Sequence, residues 1–584
     1  MLSLPLRPVL FVFFFFGILN ASKSQVVINE FCTANYSDFN PGDNEDWVEI
    51  YNPTASTVNI GGYWLSNDIT NPQKWQFPAT AAVNANSYLL VLLSGAGAYA
   101  PNQYGYLNTS FRVTQTDGDD LVFSNASGTI LESFDLGTLG AFQANHSYGR
   151  TTNGAATWGI FTNPTENASN TGATYTGYAS QPSLSIQAGY QSGPIQVTIT
   201  AAAGESIYYT LDGSEPSNAS TPYLGPVNIS ATTNLRAIAY SASPNLLPGL
   251  IETNTYFFGT DQHGILVVNI AGATLSDGSW GWGTGELTHL ELFAPGGTFL
   301  AEATGDSNEH GNDSNAYNQR GFDYITRDAL GYDNELEYPV FAASDRTGYE
   351  RLIFKAAAND NYPASGGGAH IRDAYVHELS VLGNLHLDER KTESCILYIN
   401  GQYWGVYEAR EKVDDIDYTK HYYQQGDGFV DFIKTWGGTW NEYGTATDWN
   451  NLVAFITGND MTVQANYDYV LTQYNHMSLI DYFILNGYTV CTDWLNWNTA
   501  WWRGRNPNGD ARRWRYALWD NDATFGHYVN YTGVPSTQPN ADPCQIDNMG
   551  DVGGQGHVPV LDAVRLFLKC DIEGEELQLF DPAL

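Results

Sequence analysis

The chain has 584 residues, with 63 acidic side chains against 25 basic ones and a formal charge of −38. That length calls for roughly three or four domains at ~150 residues each. The charge excludes a basic nucleic-acid groove and suits an acidic soluble protein with cationic or metal-bridged partners.

Residues 1–24 open with Arg7, run apolar from Val9 to Leu19 through Phe13 and Phe16, and end in the small residues Ala21 and Ser22. This is the order of a secretory signal. The run is short for a membrane span, and no second run of about 18 apolar residues follows. A secreted or cell-surface protein without a transmembrane segment is expected. The cysteines Cys32, Cys395, Cys491, Cys544 and Cys570 are odd in number and scattered, and no CxxC occurs. Neither a disulfide framework nor a zinc site is expected.

From residue 25 to 172, strand-like runs at Val26–Phe31, Asp46–Tyr51, Tyr88–Leu93, Asp120–Ser124 and Thr129–Phe134 alternate with turn residues. The pattern predicts an all-β sandwich. INEF (Ile28–Phe31), DWVEIYNP (Asp46–Pro53), GGYWLSND (Gly61–Asp68) and SFRVTQTDGDDLVF (Ser110–Phe123) together resemble a lamin-tail domain, an immunoglobulin-like sandwich. The resemblance implies attachment or presentation, not catalysis. Asp117, Asp119 and Asp120 share a Gly-containing turn and read as a solvated hairpin tip ahead of a calcium loop.

Asn163–Ser180 is rich in small polar residues and reads as a flexible boundary. Residues 181–258 return to short strands. YYTLDGSEPS (Tyr208–Ser217), Tyr223 and TTNLRAIAY (Thr232–Tyr240) resemble the small sandwich at the C-terminal end of chitobiases and hexosaminidases. Tyr208, Tyr209 and Tyr223 read as core residues ahead of a sugar-binding surface.

From residue 263 to 584 strands mix with helix-compatible segments at Asp373–Leu382, Asp448–Ile456, Ala465–Tyr474 and Ser478–Asn486. An α+β domain large enough for a cleft is expected. The last of these helices leads into Thr492–Gly526, which is rich in the oxygen ligands of a hard cation. Asp493 is followed five residues on by Asn498, the spacing of a catalytic base and a metal ligand in a kinase catalytic loop. Asp520 and Asp522 are two apart, so on an extended segment both carboxylates face one side and suit Mg²⁺ or Mn²⁺. A structural Ca²⁺ loop or a polar hairpin also suits these residues. Trp494, Trp497, Trp501 and Trp502 fit either adenine stacking or cross-strand core pairs. Arg372-Asp373 mimics a catalytic loop, but five residues on stands Glu378, so the segment reads as a packed helix with Asp373 at its start. His370 and His377 form no HExxH motif.

QRGFDY (Gln319–Tyr324), RLIFKAAANDNY (Arg351–Tyr362), HIRDAYVHEL (His370–Leu379), LYINGQYWGVYEAREKVD (Leu397–Asp414), WDNDATFG (Trp519–Gly526) and GQGHVPVLDAV (Gly554–Val564) occur in order across the domain. They resemble the CotH kinase family of atypical secreted protein kinases. The resemblance implies ATP as phosphate donor, a protein substrate, and Glu411 at the family's acidic position. Where kinase-competent relatives carry a lysine, this chain offers Arg320, with Lys355 in the next matched segment; Arg for Lys is not a neutral exchange. Relatives continue with more helix past GHVPVLDAV, so an altered or truncated C-terminus is expected.

The expected architecture is two N-terminal all-β immunoglobulin-like sandwiches followed by an α+β atypical kinase-like domain. The expected function is an exported, metal-dependent protein kinase whose β modules attach to a cell-surface or matrix component. In it Asp493 is the base, Asn498, Asp520 and Asp522 hold the metal, and Arg320, Lys355 and Glu411 serve the nucleotide. The alternative is a non-catalytic surface or matrix protein with a metal- or nucleotide-binding pseudokinase domain. A carbohydrate-hydrolysing reading lacks an identifiable pair of catalytic carboxylates.

Overall fold

The computed structural model describes residues 25–36, 45–95, 105–259, 263–272, 287–311, 317, 319–362, 367–426, 428–493 and 497–527. The signal-like segment, Trp494, Cys544, Cys570, GQGHVPVLDAV and the C-terminal end lie outside the described residues. No helix among the described residues is long and apolar enough to cross a membrane.

The first module is a sandwich of a six-stranded and a four-stranded sheet. Ile28, Phe31, Val48 and Val91 of one sheet share a core with Leu65, Trp75, Leu121 and Phe123 of the other. Asn163–Ser180 is not a loose tether. Tyr175 exchanges backbone hydrogen bonds with Ile160. Asn170 is buried, where it accepts from Asn29 at 2.6 Å and donates to the Arg150 carbonyl at 2.7 Å. Side-chain amides satisfy buried backbone there, a role that composition alone does not reveal.

The second module centres on a five-stranded sheet containing Thr233–Ser241 and Glu252–Phe258. Tyr209 and Tyr223 pack on its core, while Tyr208 meets Tyr240 edge-on. This module is joined to the third through buried side chains. Thr255 Oγ1 and Asn269 Nδ2 both donate to Asn234 Oδ1, at 2.6 and 3.0 Å. Glu291 accepts from Asn269 Nδ2 at 3.0 Å and from the Thr255 amide at 2.8 Å.

The third module begins as a closed seven-stranded barrel. Its strands are β1 (Leu266–Ala271), β2 (Leu287–Phe293), β3 (Phe299–His310), β4 (Gly321–Thr326), β5 (Arg351–Lys355), β6 (Thr392–Ile399) and β7 (Gln402–Glu411). Between β5 and β6 lies helix α1 (Arg372–Gly383). In β5, Leu352 and Phe354 enter the barrel core, as Tyr407 and Ala409 do in β7. Strand alternation therefore puts Arg351, Ile353 and Lys355 on the outer face, opposite Arg410 and Glu408 in register.

That outer face meets a second lobe. It holds α2 (Ile416–Tyr423), β8 (Val430–Trp436), β9 (Gly438–Tyr443), α3 (Thr447–Gly458), α4 (Gln464–Gln473), α5 (His476–Tyr488), β10 (Thr499–Gly504) and β11 (Arg515–Ala517). Its sheet runs β9-β8-β10-β11. Trp449, Leu452, Leu479, Tyr482, Leu485, Trp501 and Trp514 build the core between helices and sheet. Asn475 caps α5 by accepting from the Ser478 amide.

Candidate active site

The site forms where β5 and β11 end and α1 and β10 begin. Lys355 closes β5 and is 4% exposed, so its ammonium needs buried counter-charges. It donates to Asp373 Oδ2 on the first turn of α1 at 2.9 Å, and to Asp520 just past β11. Asp373 also pairs with Arg410 and accepts from the Asn521 amide at 2.6 Å. One buried carboxylate thus ties barrel, helix and the Asp520–Asp522 segment together.

The start of α1 is anchored by Asp360, whose carboxylate accepts from the amides of Ala369, Ile371 and Arg372 at 2.7 to 3.0 Å. Of these, the Arg372 amide is an orphan helix donor satisfied from outside the helix. Asp522 Oδ2 accepts from the Asn359 amide at 3.2 Å. On the far side, Asn498 Nδ2 donates to Asp493 Oδ2 at 2.8 Å. The Thr492 amide binds the Ala523 carbonyl at 2.9 Å, clamping the Asp493 loop to the Asp520–Asp522 segment.

Charge is unevenly balanced here. Burial alone would raise the Asp373 carboxyl, but Arg410 and Lys355 hold it well below the usual carboxylate range. Burial would lower the Lys355 ammonium, but Asp373, Asp520 and Asp522 raise it. Asp522 is pushed well above the usual range, first by burial and then by Asp520, with Asp373 and Asp493 adding to it and Lys355 opposing. Four carboxylates therefore share one small volume, an arrangement that attracts further positive charge. Of these side chains Asp520 is the open one, 34% exposed. Among the described residues, no three or more His, Cys, Asp or Glu side chains converge as a ready-made metal cage.

The structure brings Asp493, Asn498, Asp520, Asp522 and Lys355 together. The side-by-side placement expected of Asp520 and Asp522 does not hold, because the segment is not a strand. Asp520 has φ +57° and turns to Lys355, while Asp522 turns to Asn359. Glu411 is placed elsewhere. Alternation puts it on the opposite face of β7 from Glu408 and Arg410. There it meets Arg346 at 3.6 Å and the Tyr422 hydroxyl at 2.9 Å. Its neighbour Lys412 is buried with Asp414, at 3.0 Å. The acid beside Lys355 is Asp373, which sequence reasoning read as a helix-start residue. Arg320 precedes β4, and its charge acts on Glu309 of β3; its buried Nε has no hydrogen-bond partner. Burial lowers His377 to about 4, leaving it neutral, with its Nδ1 accepting from the Arg390 amide. Trp501 and Trp502 are core residues, whereas Trp497 lies beside the site against Trp436.

A barrel lobe and a helical lobe meeting at a lysine–aspartate pair, behind two β-sandwiches, define a multidomain protein with a kinase-like α+β domain. Residues 309–551 match the family model of the CotH kinase protein. Residues 186–246 match the chitobiase/beta-hexosaminidase C-terminal domain, and residues 20–138 match the lamin tail domain. From N- to C-terminus the matches therefore run lamin tail, chitobiase/hexosaminidase C-terminal domain and CotH kinase. A search among curated proteins found no match.

Proposed function

We propose that this protein is an exported atypical kinase that transfers the terminal phosphate of ATP to a protein hydroxyl with Mg²⁺ or Mn²⁺. The observation that carries this reading is Lys355 held between Asp373 and Asp520, with Asp493, Asn498 and Asp522 in the same cluster. Phosphoryl transfer needs a cation on the phosphates, oxygen ligands for a metal and a base at the acceptor. Lys355, oriented by Asp373, takes the first role. Arg320, whose buried Nε has no hydrogen-bond partner, is a second cation offered to the phosphates. Asp520, Asp522 and Asn498 offer the all-oxygen donor set of a hard cation, and the crowding that raises Asp522 is what a cation relieves. Asp520, Asp522 and Asn498 would hold the metal, which when bound would supply positive charge to offset the phosphates. Asp493, oriented by Asn498, accepts the acceptor's hydroxyl proton. The two β modules present the kinase domain at a cell-surface or matrix component.

The alternative, a non-catalytic surface or matrix protein with a pseudokinase domain, draws on one contact. Lys355 sits directly on Asp520, the carboxylate a metal would need. Radiolabelled ATP with Mn²⁺ or Mg²⁺ separates the two. Label transferred by the wild type and lost in Asp520→Ala supports the kinase. Nucleotide bound without transfer supports the alternative, and no nucleotide binding by either protein removes the kinase.

A further inference from the structure

Three features meet on one side of the site. First, β9 is an outer strand of the four-stranded sheet, and its first four residues are exposed. Among the described residues, no strand pairs with its outer edge. An edge of this kind presents unpaired amides and carbonyls, which a protein must cover, blunt or use. Gly438–Tyr443 contains no proline or lysine; its one charge is Glu442, which pairs with Lys434 at 3.5 Å, and a register shift between Phe432 and Ile433 marks its pairing with β8.

Second, the hairpin that begins β9 lies against the candidate catalytic loop. Register pairs Trp436 with Gly438 and Thr435 with Thr499, next to Asn498. Gly437 has φ +70°, and a Cβ there would stand 2.8 Å from the Trp497 ring. Only glycine lets the turn lie this close to the residue before Asn498. Third, two large aromatics stand open on this hairpin, Trp436 at 44% and Trp440 at 39% exposure. Indoles held by neighbours give contact area at little entropic cost. Trp436 is held edge-on by Trp497 at 5.2 Å, and Trp440 by Trp519 at 6.2 Å.

We propose that the outer edge of β9 receives the acceptor protein as an added extended strand, with Trp436 and Trp440 contacting its apolar side chains. This deepens the phosphoryl-transfer reading and rests on it. Strand addition supplies affinity through main-chain hydrogen bonds and specificity through alternate side chains. The added strand lies about 14 Å across the sheet from β10, so the phosphorylated hydroxyl sits about four residues beyond the paired segment. The net charge of −38 favours basic acceptor proteins.

The test uses the full chain without ATP and a fluorescent peptide with an alternating Val/Lys segment and a serine four residues downstream. Two further peptides carry N-methyl groups on alternate amides of that segment, in opposite registers. One register is expected to lose at least tenfold in affinity and the other to bind as the parent does. Trp436→Ala is expected to weaken the parent peptide several-fold. Equal binding by both methylated peptides overturns the strand, and unchanged binding by Trp436→Ala overturns the tryptophan contact. The same peptide is then offered with ATP and Mn²⁺. Register-dependent binding without phosphorylation supports the edge while removing the kinase reading, so the two fail separately.

Discussion

The Lys355 ammonium and the Asp373 carboxylate lie 2.9 Å apart, one on the last residue of a barrel strand and the other on the first turn of a helix. Both are almost fully buried, so each needs a buried counter-charge, which Asp520 also gives Lys355 and Arg410 also gives Asp373. The pair fixes where α1 sits on the barrel, and Asp520 then completes a three-residue ladder from helix to strand to the far lobe.

Lys355→Met should leave the fold intact, because Asp373 keeps Arg410 as its partner. Phosphate transfer should fall by ~10²–10³, the scale of losing one preorganised charge at a developing anion. Radiolabel incorporation measures the loss, and thermal denaturation checks the fold.

Asp373→Asn should behave differently. It removes the carboxylate that Lys355 and Arg410 share, leaving Asp520 to the first and Glu408 to the second. Breaking a buried pair in this way costs about 3–5 kcal/mol. Denaturant unfolding should show that loss, which Lys355→Met does not produce.

Asp493→Asn should lower kcat by ~10²–10⁴, the contribution of a positioned base, and leave ATP affinity unchanged. A change in ATP affinity with kcat intact would remove Asp493 from the acceptor side of the site.

Glu411→Gln tests the residue that family position favours but geometry separates from Lys355. Its carboxyl is raised, first by burial, and Arg346 and Tyr422 oppose that rise. The neutral amide should alter stability on the order of 1–3 kcal/mol, as for a buried hydrogen bond to a charged group. The transfer rate per folded molecule should not change.

The contact between the first module and the barrel should respond to pH. Asp328 beside β4 accepts from the Gln115 amide at 3.0 Å. Burial pushes it up to about 6, with Asp117 and Asp119 adding to the rise. Burial and Asp328 raise Asp46 across the contact, where Glu45 adds and Arg112 opposes. A carboxyl raised in the folded state binds more protons there than in the unfolded chain. Its contribution is therefore fully present below about pH 4 and is lost as pH climbs through about 6. Both side chains are only half-buried, so solvent screening limits the effect to the order of 1 kcal/mol. Between pH 5 and 7, calorimetry should find a smaller fall in Tm for Asp328→Asn than for wild type.

Much of this was legible in the sequence, for physical reasons. The helices at Asp448–Ile456 and Ser478–Asn486 show because their apolar spacing follows the turn. Asp493, Asn498, Asp520 and Asp522 show because they are close in sequence to the strands that gather them. Asp373 did not, because its partner Lys355 is brought to it only by closure of the barrel. Glu411 misled because strand alternation, which sends it away from Lys355, has no meaning until the register of β5 on β7 is known. Asp520 misled because a left-handed residue after β11 breaks the alternation assumed for it.

The amide and carboxylate cluster of Asn234, Thr255, Asn269 and Glu291 decides where this protein can be divided. The Glu291 carboxyl is buried and raised, and the Thr255 amide and hydrogen bonding to it belong to the second module. An expression boundary drawn at residue 263, where the barrel begins, would strip both Asn234 and Thr255 from it. Such a fragment should be insoluble or protease-sensitive, whereas one starting ahead of residue 181 should be neither. The smallest portable kinase-like unit therefore carries its neighbouring sandwich as part of its own foundation.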